Sequence, residues 1–107
     1  MIGYDFHPEA LSDLDEIWEY IARESATAAE KVNGDILKAV RALVPFPHQG
    51  HRRTDLTSRP LRFWRVYDYL IAYASDEKPL WVVAVLHGNR NPRVLAAILR
   101  SRETKVT

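Results

Sequence analysis

The stretch that decides the fold runs from residue 61 to residue 92 and reads LRFWRVYDYLIAYASDEKPLWVVAVLHGNRNP. Three segments in it are rich in aromatic and β-branched residues, and clusters of Gly, Pro, Asn and Asp separate them. This pattern predicts three consecutive strands in an antiparallel meander, at residues 61–66, 69–74 and 80–86. The third strand is apolar on both faces, so both of its faces need a cover.

The cover of the third strand poses a problem for the isolated chain. Strict alternation places Trp81, Val83 and Val85 on one face of the sheet and the even-numbered residues on the other. A helical hairpin can cover one face, but only one short helix remains for the second. We therefore predict an apolar groove, open in the isolated chain, that binds an amphipathic segment of another protein.

The segments around the meander predict an α+β fold. Residues 2–6 alternate as an edge strand, and apolar residues recur at helical spacing over residues 8–24. Thr27 and Glu30 fit a capping box for a second helix that ends before Pro45. The two helices should form a hairpin on a small, mainly antiparallel sheet. A short last helix follows the third strand of the meander, with Asn91 as its cap and Pro92 as its first residue.

Length and composition indicate one small globular domain over residues 1–107, with a frayed tail from about residue 101. The chain is 47% hydrophobic, and it contains no cysteine for disulfide or thiolate chemistry. It lacks a basic N-terminal region followed by an apolar run, and no uncharged stretch approaches the ~20 residues of a membrane span. We expect a cytoplasmic protein without a membrane segment.

The net charge of +1 hides an asymmetry between the two halves of the chain. Residues 1–46 hold nine acidic and four basic residues, and residues 47–107 hold eleven basic and five acidic ones. A basic half suits a polyanionic or acidic partner, although an intramolecular dipole explains it equally well. Arg52, Arg53 and Arg59 form a basic loop patch that solvation alone can account for.

Five motifs occur in order along the chain. They are Pro8-Glu9-Ala10-x-x-Asp13-Leu14-x-x-Ile17-Trp18-x-Tyr20-Ile21, Phe46-Pro47-x-x-Gly50, Leu61-Arg62, Tyr69-Leu70-Ile71-x-Tyr73 and Val85-Leu86-His87-Gly88-x-Arg90-Asn91. Together they resemble the RelE/ParE superfamily of toxins from type II toxin–antitoxin modules, and more closely its ParE branch. The chain departs from the usual ParE pattern at Tyr67, where Gly is common in the hairpin turn, and at Asn91, where Asp is common.

The resemblance implies a small toxin that an antitoxin, ParD-like or of another type, holds inactive in a hetero-oligomer. Antitoxins of this class wrap along the toxin, in agreement with the predicted groove. ParE-like members arrest growth by poisoning DNA gyrase, and RelE-like members cut mRNA on the ribosome. The residues that we assign to antitoxin binding are Trp64, Tyr73, Trp81, Val83 and Val85.

The candidate target-binding site lies where the third strand of the meander ends and the last helix begins. Arg90 and Arg93 place cations at a helix start, where they oppose the helix dipole, and free amides there attract anions. Residues that break a local rule can mark function. His87 is the neighbouring candidate, although it could instead bond a backbone carbonyl at the turn. The assigned set is Arg62, His87, Arg90 and Arg93.

The residues favour a binding toxin over a nuclease. Cutting RNA needs an activated nucleophile, a stabilised phosphorane and a protonated leaving group. RelE-like enzymes use lysines, arginines and a C-terminal tyrosine or histidine there, but this chain has no lysine between Lys38 and Lys78 and no tyrosine after Tyr73. A nuclease would rely on Arg65, His87 and Arg90. A third hypothesis is a non-toxic domain that only binds the antitoxin. We predict no metal and no cofactor.

Overall fold

The computed structural model describes residues 3–102, which form a four-stranded sheet with helices against both faces. The elements are β1 (Tyr4–Phe6), α1 (Pro8–Ala22), α2 (Ala26–Leu43), β2 (Leu61–Val66), β3 (Tyr69–Ala74), β4 (Leu80–His87) and α3 (Pro92–Ser101). This order confirms the predicted α+β fold. Position 2 of the predicted first strand lies outside the described residues. No helix within residues 3–102 combines the length and the apolar character that crossing a membrane requires.

The sheet places β4 and β3 at its centre. The strand order is β1-β4-β3-β2, with β1 parallel to β4 and the other neighbours antiparallel. The β2–β3 turn contains Tyr67, whose φ of 56° is in the left-handed region that favours glycine. Its hydroxyl donates a hydrogen bond to Asp35 of α2, so the turn is fastened to the helical hairpin.

The helix starts follow local capping rules, with one correction. Asn91 caps α3 as predicted, because its side chain accepts a hydrogen bond of 2.8 Å from the Arg93 amide. The predicted Thr27 capping box is wrong. Ser25 caps α2 instead, and its Oγ accepts from the Ala28 amide at 3.1 Å. Serine is the stronger cap, and Ser25 stands directly before Ala26, the first residue of α2.

The prediction that one face of the sheet is left uncovered is wrong. Leu95 and Leu99 of α3 cover it, together with Leu56 of the loop before β2. Trp81 and Val83 are only 7% and 0% exposed under this cover. Because the loop covers part of this face, one short helix is sufficient to cover the rest. Ser101 is helical and position 102 is buried, so the predicted frayed tail does not include these two positions, and residues 103–107 lie outside the described part.

A β-bulge explains why strict alternation fails along β4. The register between β3 and β4 shifts at Ala72/Tyr73, so Ala72 pairs with Ala84 while Tyr73 pairs with Val82. Beyond the bulge the faces are exchanged, and Val85 lies on the α1–α2 side rather than the α3 side. The residues assigned to antitoxin binding are therefore divided, with Trp64, Tyr73 and Val85 on the α1–α2 side and Trp81 and Val83 on the α3 side.

The Tyr73 hydroxyl fastens the loop after α2 to the sheet. It donates to the Pro47 carbonyl at 2.6 Å and accepts from the Gly50 amide at 3.0 Å. A Tyr73→Phe change leaves both backbone groups without this partner, so we expect the free energy of unfolding to fall by about 1–3 kcal/mol. Urea unfolding followed by fluorescence measures the change.

The matched control for Tyr73 is Tyr20→Phe, because Tyr20 is 62% exposed and should change stability by less than about 0.5 kcal/mol. Equal midpoints for the two variants would contradict the role of the buried hydroxyl. Burial also raises the pKa of Tyr73. Its neutral form therefore adds stability that is present below pH ~10 and is lost as pH rises through the raised pKa.

Candidate target-binding site

A cleft of about 250 Å³ lies between α1, the end of β4 and α3. It exists because β1 pairs only with Leu80–Val82, so the remainder of that edge of β4 has no neighbouring strand. Polar side chains from three elements converge on the cleft: Glu9, Ser12, Asp13, Glu16, His87, Arg90 and Arg102.

An ion pair between Asp13 and Arg102 forms the floor of the cleft. Both carboxylate oxygens of Asp13 accept from the guanidinium, at 2.6 and 3.0 Å. Asp13 Oδ2 also accepts from the Val85 amide at 2.9 Å, and Arg102 Nη1 donates to the Val83 carbonyl at 3.2 Å. The pair therefore takes the place of a neighbouring strand along this part of β4.

The surroundings of Arg102 keep it charged. Its side chain is 9% exposed and that of Asp13 is 14% exposed. The hydrogen bond from Arg102 to Asp13 raises the pKa of Arg102, and the carboxylates of Glu9 and Glu16 add to this. Sequence reasoning missed the pair, because nothing in the sequence relates two residues that are 89 positions apart.

His87 ends β4 in an aromatic environment. Its ring centroid lies 5.0 Å from that of Tyr69 and 6.2 Å from that of Tyr20, which stands perpendicular to it. Within residues 3–102 the ring makes no hydrogen bond to a backbone carbonyl. The half-buried imidazole therefore packs between tyrosines at the rim of the cleft.

Three arginines surround the turn that follows β4. Arg90 and Arg93 are exposed, and in the described chain their side chains form neither an ion pair nor a hydrogen bond. Arg65 reaches the same turn from β2, because a Cβ built on Gly88 would lie 2.9 Å from its Nη2. The structure thus brings Arg65 to the turn that carries His87 and Arg90, and these are the three residues on which the nuclease hypothesis relies.

Arg62 does not join this group. It pairs with Tyr73 near the end of β3, whereas His87 pairs with Tyr69 at the start of that strand. Its Nη1 donates to the Gly50 carbonyl at 2.9 Å. Arg62 therefore supports the loop after α2 and is separate from the three arginines at the turn.

The histidines of the loop after α2 show no metal arrangement. His48 Nε2 lies 3.1 Å from Asp76 Oδ1, and both side chains are exposed. Across residues 3–102, no group of three or more His, Cys, Asp or Glu side chains is placed to hold a metal ion.

Comparison with known proteins gives the class and then the family. A family model described as "ParE toxin of type II toxin-antitoxin system, parDE" matches residues 4–92, which is most of the chain. The protein is thus the toxin component of a type II toxin–antitoxin system. It belongs to the ParE toxin family, and this family implies an antitoxin partner. A search of curated proteins returned no match.

Proposed function

We propose that this toxin binds DNA gyrase, stabilises the state in which the DNA is cleaved, and is neutralised by a cognate antitoxin. The observation that carries the proposal is the pair of exposed arginines, Arg90 and Arg93, at the start of α3. A cation in this position opposes the helix dipole by about 0.3–1 kcal/mol. No carboxylate within residues 3–102 forms an ion pair with either arginine, and an anionic group of a target would offset the cost.

The shape of the site suits binding to a macromolecule. Arg90 and the tyrosine-flanked His87 both line the cleft, and Arg93 follows in the first turn of α3. Arginine and tyrosine are the residue types that most often dominate the energy of protein interfaces. We therefore place the target contact on Arg90, Arg93, His87 and Tyr20.

The antitoxin contact stays a prediction, and it needs accessible apolar side chains that the two buried faces of the sheet do not offer. The exposed large apolar side chains in the described chain are Leu11, Tyr20, Phe46, Tyr67 and Val94. An antitoxin that wraps along the toxin would cover several of them at once.

The test incubates the purified toxin with gyrase and supercoiled plasmid, and then adds detergent and protease. Linear DNA that accumulates with toxin concentration is the expected result, because protein removal exposes the breaks in trapped cleavage complexes. Addition of the cognate antitoxin beforehand should abolish the linear product. Unchanged supercoiling and relaxation by gyrase, with no linear DNA, would contradict the proposal.

A second candidate function is cleavage of mRNA on the ribosome, and one observation favours it. Arg65 lies against Gly88, so it, His87 and Arg90 surround one turn as a nuclease would require. An assay in a translation extract decides between the gyrase and the mRNA hypotheses. Cleaved mRNA together with unaffected gyrase would make the nuclease the better-supported function. Inactivity in both assays would favour an antitoxin-binding domain without toxicity.

A further inference from the structure

We infer that the outer surface of α3 and the loop beside it bind the phosphate backbone of nucleic acid directly, around a pocket that is separate from the cleft and with only Arg93 shared with the proposed target contact. A pocket of about 290 Å³ lies between this loop and α3, and we call it the Arg59–Arg100 pocket. Its lining combines two guanidinium groups with three hydroxyl groups: Thr54, Asp55, Leu56, Thr57, Ser58, Arg59, Ala96 and Arg100.

Arg59 is fixed in place before any ligand binds. Its Nη1 donates to the Leu99 carbonyl at 3.1 Å, near the end of α3, where the carbonyl groups attract a cation. A guanidinium has five N–H donors, so one such bond leaves the others for a ligand in the pocket. Because the side chain is already half-buried and held, binding orders it little further.

Arg100 is the exposed counterpart of Arg59. It is exposed, and among residues 3–102 it has no ion pair and no side-chain hydrogen bond. Arg93 lies seven residues earlier, on nearly the same side of α3 and about 10 Å away along its axis. Between them stand the small residues Ala96 and Ala97, which let a ligand approach the helix closely, and α3 itself contains no acidic residue.

The one acidic residue of the pocket is already neutralised. Asp55 accepts two hydrogen bonds from Arg53, at 2.9 and 2.8 Å, and this pairing lowers the pKa of Asp55. The hydroxyl-bearing residues Thr54, Thr57 and Ser58 therefore line a pocket whose remaining charged groups are positive. Arginine together with serine and threonine is a set of donors that contacts phosphate oxygens in nucleic-acid complexes.

The chemistry of the pocket thus indicates that the partner of the basic half of the chain is a nucleic acid. A nucleic-acid backbone presents closely spaced phosphates, so a row formed by Arg93, Arg100 and Arg59 can meet more than one of them. No base-reading element is implied, and we expect binding without sequence preference. The contact does not depend on the identity of the toxin's protein target.

The test measures binding of the full chain to a fluorescent duplex of about 20 base pairs across about 0.05–0.2 M salt. Each phosphate contact contributes about −0.9 to the slope of log K against log salt. Arg100→Gln should therefore flatten the slope by about 0.9 and weaken binding roughly eightfold at ~0.1 M salt. The exposed position of Arg100 means that this variant keeps its fold.

The matched control is Arg41→Gln, which removes the same charge from an exposed position on α2. It should leave the slope unchanged. Equal losses for the two variants, or no binding by the unaltered chain at the lowest salt, would overturn the inference. Poly-glutamate that displaces the duplex at the same concentration of negative charge would also overturn it, because the surface would then suit an acidic protein.

Discussion

Replacement of Asp13 by alanine is expected to lower the free energy of unfolding by about 3–5 kcal/mol. The change leaves the Arg102 guanidinium buried without its counter-charge, and removal of one partner of a buried pair has an effect of this size. It also removes the acceptor of the Val85 amide on the free edge of β4. Urea unfolding of the purified variant measures the loss.

The control for Asp13 is Asp15→Ala, because Asp15 is exposed on the same helix and should change stability by less than about 0.5 kcal/mol. A double variant, Asp13→Ala with Arg102→Met, should recover part of the loss, since it leaves no unpaired charge in the interior. If Asp13→Ala were as stable as Asp15→Ala, the pair would not be buried in solution.

The same variant should loosen α3 in particular. Arg102 follows the last residue of α3, whereas Asp13 belongs to α1, so the pair holds the end of α3 against the sheet. Amide hydrogen exchange in α3 should therefore accelerate more than exchange in α2. Since Arg93 and Arg100 both lie on α3, the buried pair determines how rigidly the two proposed binding surfaces are presented.

What could be predicted from the sequence was mostly local. The bounds of β2 and β3 and the Asn91 cap depend on neighbouring residues, and the structure has them where the sequence placed them. The face of Val85 could not be predicted, because the bulge opposite Ala72 arises from pairing between two strands. A strand read alone shows a period of two and gives no sign that the period is interrupted.

The site shows the same division between local and long-range features. Arg90 and Arg93 could be identified because their conflict with a helix start is visible in the sequence. Arg102 could not be identified, because a basic residue at the end of a terminal helix has the same sequence pattern whether its side chain is solvated or buried. Arg59 and Arg65 also required the structure, because a distant carbonyl and a distant turn give them their places.

Replacement of both Arg90 and Arg93 by alanine is expected to weaken the toxin's effect on its target by at least about 2 kcal/mol, which is roughly thirtyfold in dose. The stability of the fold should stay the same or rise by about 0.3–1 kcal/mol for each change, because each removes a cation from the start of α3. Loss of activity with retained stability is the result that separates a binding role from a structural one.

The measurement compares the toxin dose that linearises half of the plasmid in the presence of gyrase with the urea midpoint of the same preparation. Arg41→Ala is the matched control, because Arg41 is an exposed arginine in the last turn of α2 with no side-chain partner within residues 3–102. It should leave the toxin dose unchanged and lower the stability by no more than about 1 kcal/mol, the contribution of a cation at a helix end. Parallel losses of activity and stability in the double variant would mean that these arginines hold α3 in place. Full activity in a stable double variant would move the target contact away from the start of α3 altogether, and Tyr20 and His87 would then be the next residues to change.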